Sequence, residues 1–193
     1  MKRKKFDGFA PVCKHCVLYL YERALRRRIH LVEPLVAIRS LVHDRTAEIK
    51  ILRASTVAQR MAAGDRLFVA YHNDIPVGYL FAATQECRVG EIDDWLRIEQ
   101  KEVYFYDAHT GPQFRGKRIY PHLIARAADY FKSESYDYAM IFSTGDNMRS
   151  RRGIERSGFN VYQTADYRNL LGWKSWLMET GERHVGSRLR IEN

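Results

Sequence analysis

The chain has 193 residues, 46% of them hydrophobic and 28% charged, which suits one domain with a packed core and a polar surface. Twelve Tyr, nine Phe and three Trp exclude a disordered chain. Apolar stretches such as residues 17–21 fall far short of the roughly 20 residues that cross a bilayer. The formal net charge of +9, from 32 Lys and Arg against 23 Asp and Glu, implies an anionic partner or substrate. It does not choose among nucleic acid, a membrane surface and a phosphorylated cofactor.

The basic start, Met1-Lys2-Arg3-Lys4-Lys5, is followed by no apolar h-region or small-residue cleavage site, so the expected location is the cytoplasm. Three cysteines argue against a disulfide framework. Cys13-Lys14-His15-Cys16 spells half of a zinc knuckle, but a structural zinc site takes four ligands, usually in two clustered pairs. Cys87 stands alone. No metal is expected.

Residues 1–15 read as a basic N-terminal arm and residues 16–193 as one domain. Residues 17–25 and 35–41 are rich in strand formers and are expected to pair as an added hairpin. Asp44 is placed to cap a helix running to about Ala63, with Ile49, Leu52 and Val57 on its apolar side, and Gly64-Asp65 stops it. Residues 66–72 and 75–83 read as two strands joined at Asn73-Asp74. Residues 87–100 are polar and give no periodicity. Residues 102–109 form another strand, ended by Thr110-Gly111-Pro112. Beyond them Ile119, Leu123, Ile124, Ala127 and Phe131 keep one helical face apolar, while Arg126, Asp129 and Lys132 point elsewhere. A strand over 136–142, a short helix from Asn147 to Gly158, and strands over 159–162 and 173–178 complete the chain. The class is mixed α/β (α+β), one domain.

The chemistry concentrates in Pro112-Gln113-Phe114-Arg115-Gly116-Lys117-Arg118-Ile119-Tyr120. A strand ends, a glycine-bearing turn follows, and a helix begins. Unpaired N–H groups and the positive end of the dipole make a helix start ready for an anion. Gly116 lets a phosphate approach the backbone, and Arg115, Lys117 and Arg118 add charge. A P-loop is excluded, because its second glycine and Gly-Lys-Ser/Thr ending are absent.

This stretch resembles the acyl-CoA-binding motif of the GCN5-related N-acetyltransferase (GNAT) superfamily. Asn147-x-x-Ser150 with Glu155-Arg156-Ser157-Gly158-Phe159 resembles that family's second motif, and Pro76-Val77-Gly78-Tyr79 resembles its central hairpin strand. The order of elements is similar across roughly residues 35–180. The resemblance implies a mixed central sheet with two parted strands, flanked by helices. It also implies an N-acetyltransferase (or other N-acyltransferase) that moves an acyl group from acyl-CoA to a primary amine by direct attack. Acetyl-CoA, or another acyl-CoA, would then lie between strands 102–110 and 137–143. Its contacts would be His109, Thr110, Gln113, Arg115, Gly116, Lys117, Arg118, Ile119, Tyr120 and Asn147.

Two departures stand out. Arg118 occupies the place of a usual second glycine or alanine. Ile154 stands where the family often has a tyrosine that protonates the leaving thiolate, and Tyr120 and Tyr162 are the residues that could replace it. The attacking amine needs a base working through water; Glu102, Asp107 and His109 are the candidates, and the sequence does not separate them. Alternation along a strand puts Asp107 and His109 on one face. Arg149, Arg151, Arg152 and Arg156 crowd the short helix, either as contacts for a phosphate or as a solvated face. The acceptor is open: a small amine, an amino sugar on a nucleotide, or a protein amine, with the basic surface favouring acidic acceptors such as sugar nucleotides. A homodimer is open too. The alternative function is a GNAT-fold module that binds nucleic acid or protein and has lost catalysis.

Overall fold

The computed structural model describes residues 13–43, 53–92, 94–170, 173–180 and 189–190. Its frame is a twisted sheet of strands β1 (Cys13–Ala24), β2 (Arg39–His43), β3 (Arg66–His72), β4 (Ile75–Ala83), β7 (Glu102–Thr110), β8 (Tyr138–Thr144), β9 (Asn160–Leu170) and β10 (Trp173–Thr180). The order across the sheet is β10-β9-β1-β8-β7-β4-β3-β2, and all pairings are antiparallel except β7 with β8. Three short strands, β5 (Cys87–Val89), β6 (Asp94–Leu96) and β11 (Leu189–Arg190), form a second sheet. The helices are α1 (Ala54–Ala62), α2 (Ile119–Ser133) and α3 (Met148–Arg156). None is long and apolar enough to cross a membrane among the described residues.

Period-two alternation builds two cores on opposite faces of the sheet. Phe68, Ala70, Leu80, Ala82, Val103, Phe105, Ala139 and Ile141 pack under α2 with Ile119, Leu123, Ile124, Ala127 and Phe131. This is the apolar helical face expected from the sequence. On the other face Tyr104, Met140, Phe142, Leu18 and Leu20 pack under the small sheet with Cys87, Val89, Ile92 and Leu96. Val57 of α1 covers Leu67, Val69, Tyr79 and Phe81.

The β3–β4 hairpin turns at Asn73 (φ 49°) and Asp74 (φ 61°), both left-handed, which are residues that tolerate this conformation in tight hairpins. The two N-terminal strands do not form the expected hairpin. β1 runs between β8 and β9, antiparallel to both, while β2 pairs with β3 at the opposite edge. Strand propensity cannot reveal so distant a partner. β1 begins at Cys13, inside the segment read as an arm; residues 1–12 lie outside the described residues, as do Asp44, Ile49 and Leu52. His15 hydrogen-bonds Asp166 of β9 at 3.0 Å, and no group of three or more potential metal ligands occurs among the described residues.

Candidate active site

β7 and β8 pair in parallel from Glu102–Tyr138 to Phe105–Ile141 and no further, although both strands continue. The cause lies on β7. Against β4 the register runs Tyr79–His109 and then Phe81–Tyr106, so Asp107 and Ala108 together oppose Leu80. Asp107 has φ 43°. This is a β-bulge, which bends the strand and re-aims its side chains. Beyond it β7 leaves β8, and a groove of about 1330 Å³ opens between them, lined by β7 from Tyr104 to Thr110, the turn into α2, the end of β8 and one side of α3.

The bulge breaks the alternation expected from sequence. His109 stacks on Tyr79, with ring centroids 5.7 Å apart, while Tyr106 lies against Phe81 at 5.8 Å. Asp107 is pinned by an ion pair with Arg60 of α1 and faces the Tyr79 hydroxyl, which donates to it at 3.5 Å. Arg60 itself lies over the Phe81 ring at 4.4 Å and the Tyr106 ring at 5.0 Å. Burial works against the Arg60 charge and the hydrogen bond to Asp107 works for it; the net shift of its pKa is upward. Burial, and then the Asp107 charge, raise the Tyr79 pKa. Beside this group the Tyr106 hydroxyl donates to the buried Asp65. Burial raises the Asp65 pKa despite that bond and the nearby Arg60.

Of the three candidate bases, Glu102 is not brought to the groove. It is buried at the opposite end of β7, accepts the Glu99 N–H at 3.2 Å, and sits about 16 Å of strand away from Asp107. Asp107 lines the groove but its carboxylate is committed to Arg60. His109 lines it too, and among the described residues its ring nitrogens form no hydrogen bond.

The turn after β7 is a short 3₁₀ segment, Pro112–Phe114, leading to Gly116 (φ 77°) and Arg118 (φ 61°). The residue that replaces a family glycine therefore occupies the left-handed conformation that favours glycine, at a cost of about 1 kcal/mol. No side chain caps α2, and Pro121 in its first turn carries no N–H. The donors left at the helix start are thus the backbone N–H groups up to Tyr120, beside the exposed Arg115 and Arg118. Arg115 also donates from Nε to the Thr110 carbonyl at 3.3 Å.

Two expected contacts do not line the groove. Gln113 is exposed on the 3₁₀ turn and does not line it. Lys117 places Nζ 4.9 Å from the Phe114 ring centre, and its carbonyl accepts the Leu35 N–H at 2.9 Å. His109, Thr110, Arg115, Gly116, Arg118, Ile119, Tyr120 and Asn147 do line it. Asn147 caps α3 by accepting the Ser150 N–H at 3.1 Å.

Ile154 is fully buried in the core, so its position supplies no acid. Tyr162 is buried in the second core, away from the groove. Tyr120 does reach the groove, its hydroxyl 3.0 Å from the Ser150 hydroxyl, and burial pushes its pKa up to about 12 against the Ser150 hydrogen bond. Space for its ring comes from Gly153, where a Cβ would lie 2.6 Å from Tyr120 Cδ1. Sequence reading assigns part of the groove to the α1 region and residues 84–101 without naming residues; the structure supplies Arg60, Arg88, Gly90 and Glu91 from them, and adds the packing of Tyr120 on Gly153. No local sequence signal singles out any of these residues, because each contact joins segments distant in the chain.

Residues 36–159 match the sequence model of the Acetyltransferase (GNAT) family. No curated protein matches the chain. Among solved structures, a GCN5-related N-acetyltransferase from Sphaerobacter thermophilus superposes with TM-score 0.57 at 10% identity, covering 81% of this chain and 52% of that one. A GCN5-related N-acetyltransferase from Kribbella flavida superposes with TM-score 0.54 at 13% identity, covering 92% and 63%. At such identities the likeness shows the fold. The chain spans between half and two thirds of the length of these two structures.

Proposed function

The chain belongs to the GNAT acetyltransferase family, and from that premise we propose that it is an N-acyltransferase using acetyl-CoA or a close acyl-CoA. The observation that carries the reading is the groove itself, where strands part at a bulge directly above a glycine turn and an uncapped helix start. In this reading the pyrophosphate rests on the Gly116–Tyr120 backbone, aided by Arg115 and Arg118. The pantetheine arm runs along the edge of β7 that β8 has left, in the manner of an added strand. Ile119 and Tyr120 form the floor.

The thioester then lies beside the bulge, where a backbone N–H of β7 receives the oxyanion of the tetrahedral adduct. The amine enters from the side of Arg60, Arg88 and Glu91. His109 removes its proton through a water, because it is the groove-lining candidate whose side chain is uncommitted. Asp107, held by Arg60, keeps the bulge in shape. A thiolate leaves with a pKa near 8.5; a Tyr120 phenol near 12 is too weak an acid to protonate it without an uphill step of about 5 kcal/mol. The thiolate therefore leaves unaided or takes its proton from water, and catalysis rests mainly on positioning.

The amine acceptor is small, or carried on a nucleotide or a protein; the surplus of arginine favours acidic acceptors. The competing reading, a binding module without catalysis, draws on the same arginines. A thermal-shift screen of CoA thioesters separates the two. A ligand at 100 times its Kd adds about 2.7 kcal/mol of stability, so acetyl-CoA or a homologue should raise Tm by several degrees. No shift with any thioester, together with salt-sensitive DNA or RNA binding, would replace the enzyme by the binder.

A further inference from the structure

The arginines of α3 divide into two kinds. Arg151 is structural: its guanidinium lies 3.6 Å from the Tyr19 ring centre, and it donates to the Tyr21 hydroxyl at 3.1 Å and the Gly145 carbonyl at 3.4 Å. Arg149, Arg152 and Arg156 are different. They are exposed, all three line the groove, and among the described residues none of their side chains forms a hydrogen bond or ion pair. Their spacing of three and then four residues places them on one helical face.

That arrangement costs stability when nothing is bound. Like charges at these spacings repel, and there is no acidic residue in the first turn to offset them. Glu155, the one acid of the helix, is turned to the other side, where it accepts the Tyr21 hydroxyl at 3.0 Å. A solvated face normally mixes signs. This one does not, and it lines the same groove as Arg115 and Arg118.

We infer that Arg149, Arg152 and Arg156 form a clasp for a phosphate ester on the groove ligand, separate from the helix start that holds the pyrophosphate. A phosphate monoester carries about −1.5 to −2 charge and three acceptor oxygens, which suits guanidinium forks better than a carboxylate does. Two sources share this chemistry: the 3′-phosphate of the CoA nucleotide and a phosphate on the acceptor. The inference rests on the acyl-CoA reading, and its test is arranged to fail separately.

The experiment is calorimetry on the full chain and on the triple variant Arg149→Gln, Arg152→Gln, Arg156→Gln, with circular dichroism to establish that the variant is folded. The ligands are CoA, dephospho-CoA and adenosine 3′,5′-bisphosphate. The expected result is that the substitutions weaken CoA at least tenfold more than dephospho-CoA and abolish bisphosphate binding. If CoA and dephospho-CoA bind alike in both proteins, but the variant raises KM for a phosphorylated amine and not for its unphosphorylated counterpart, the clasp stands and the phosphate is the acceptor's. Equal losses for CoA and dephospho-CoA, with no such acceptor effect, overturn it. If neither CoA species binds the wild type, the acyl-CoA reading fails, and the bisphosphate alone decides: binding that the variant loses keeps the clasp, and no binding removes it. Tighter binding of single-stranded DNA than of any of these, lost in the variant, would overturn it in favour of a nucleic-acid surface.

Discussion

Gly153→Ala perturbs the groove floor in a way that can be worked out atom by atom. The added Cβ would sit 2.6 Å from Cδ1 and 3.0 Å from Cε1 of Tyr120, well inside van der Waals contact. The ring cannot swing freely, because its hydroxyl is held 3.0 Å from Ser150 and Ile119 beside it is core. Overpacking of this kind costs about 1–3 kcal/mol. Opposing it, alanine in the interior of a helix is better than glycine by about 1 kcal/mol. The net expectation is a loss of about 0–2 kcal/mol in urea unfolding, together with weaker acyl-CoA binding as the ring is driven into the groove. The sign should reverse when the ring is removed: in a Tyr120→Ala background, Gly153→Ala should stabilise by about 1 kcal/mol. A double-mutant cycle therefore gives a coupling of about 1–3 kcal/mol. Coupling below about 0.5 kcal/mol, the level at which independent sites add, would refute the packing of Tyr120 on Gly153.

Gly116 has φ 77° with open space where a Cβ would go, so Gly116→Ala should cost about 1 kcal/mol of backbone strain and weaken acyl-CoA binding, since that space belongs to the groove. Gly116→Glu should stay folded and lose binding in calorimetry, since its anion would face the pyrophosphate. His109→Ala should remove the acidic limb of the kcat/KM profile, whereas Glu102→Gln should leave the profile unchanged; the reverse pattern would move the base. Tyr120→Phe should keep kcat within tenfold of wild type, and a hundredfold loss would restore an acid role to this phenol. Asp65 has a pKa raised from 3.8 by burial, so the folded state binds its proton more tightly than the unfolded chain does. Stability from this group falls as pH rises from 3.8 through the folded value, and Asp65→Asn should remove that slope from a pH series of urea melts.

Local signals were legible in the sequence and long-range ones were not. Asn73-Asp74 encodes the β3–β4 turn in its own backbone preference, and the apolar face of α2 follows from the 3.6-residue period alone. Asn147 and Gly158 mark the ends of α3 because capping is chemistry within a few residues. The insertion of β1 between β8 and β9 joins segments more than a hundred residues apart, and no local propensity encodes that choice. Nor does alternation reveal a bulge: two residues against one at Asp107 moved every later side chain of β7 relative to expectation. The same bulge carries the contact behind the proposed base: Arg60, 47 residues upstream, pairs with Asp107 there, and that pairing is why His109 is the one proposed.

The distribution of strain bears on whether the groove is a catalytic or merely a charged surface. Among the described residues six non-glycine positions hold left-handed backbone; Asn73, Asp74, Lys101 and Ser135 lie away from the groove, and Asp107 and Arg118 line it. Each costs about 1 kcal/mol or more, and such strain persists where surrounding contacts impose it and function benefits from it. Arg60 imposes the first, bridging α1 to the bulge. The second follows from a turn whose carbonyl at Lys117 is tied to Leu35. A surface that only attracts polyanions needs arginines, not strands forced apart with an edge of backbone left unpaired. An acyl-transfer site needs that edge, since the pantetheine arm can pair along it and the oxyanion requires a free N–H at the point of parting. The arginines suit either reading. The bulge and the parted strands favour the proposed catalytic one.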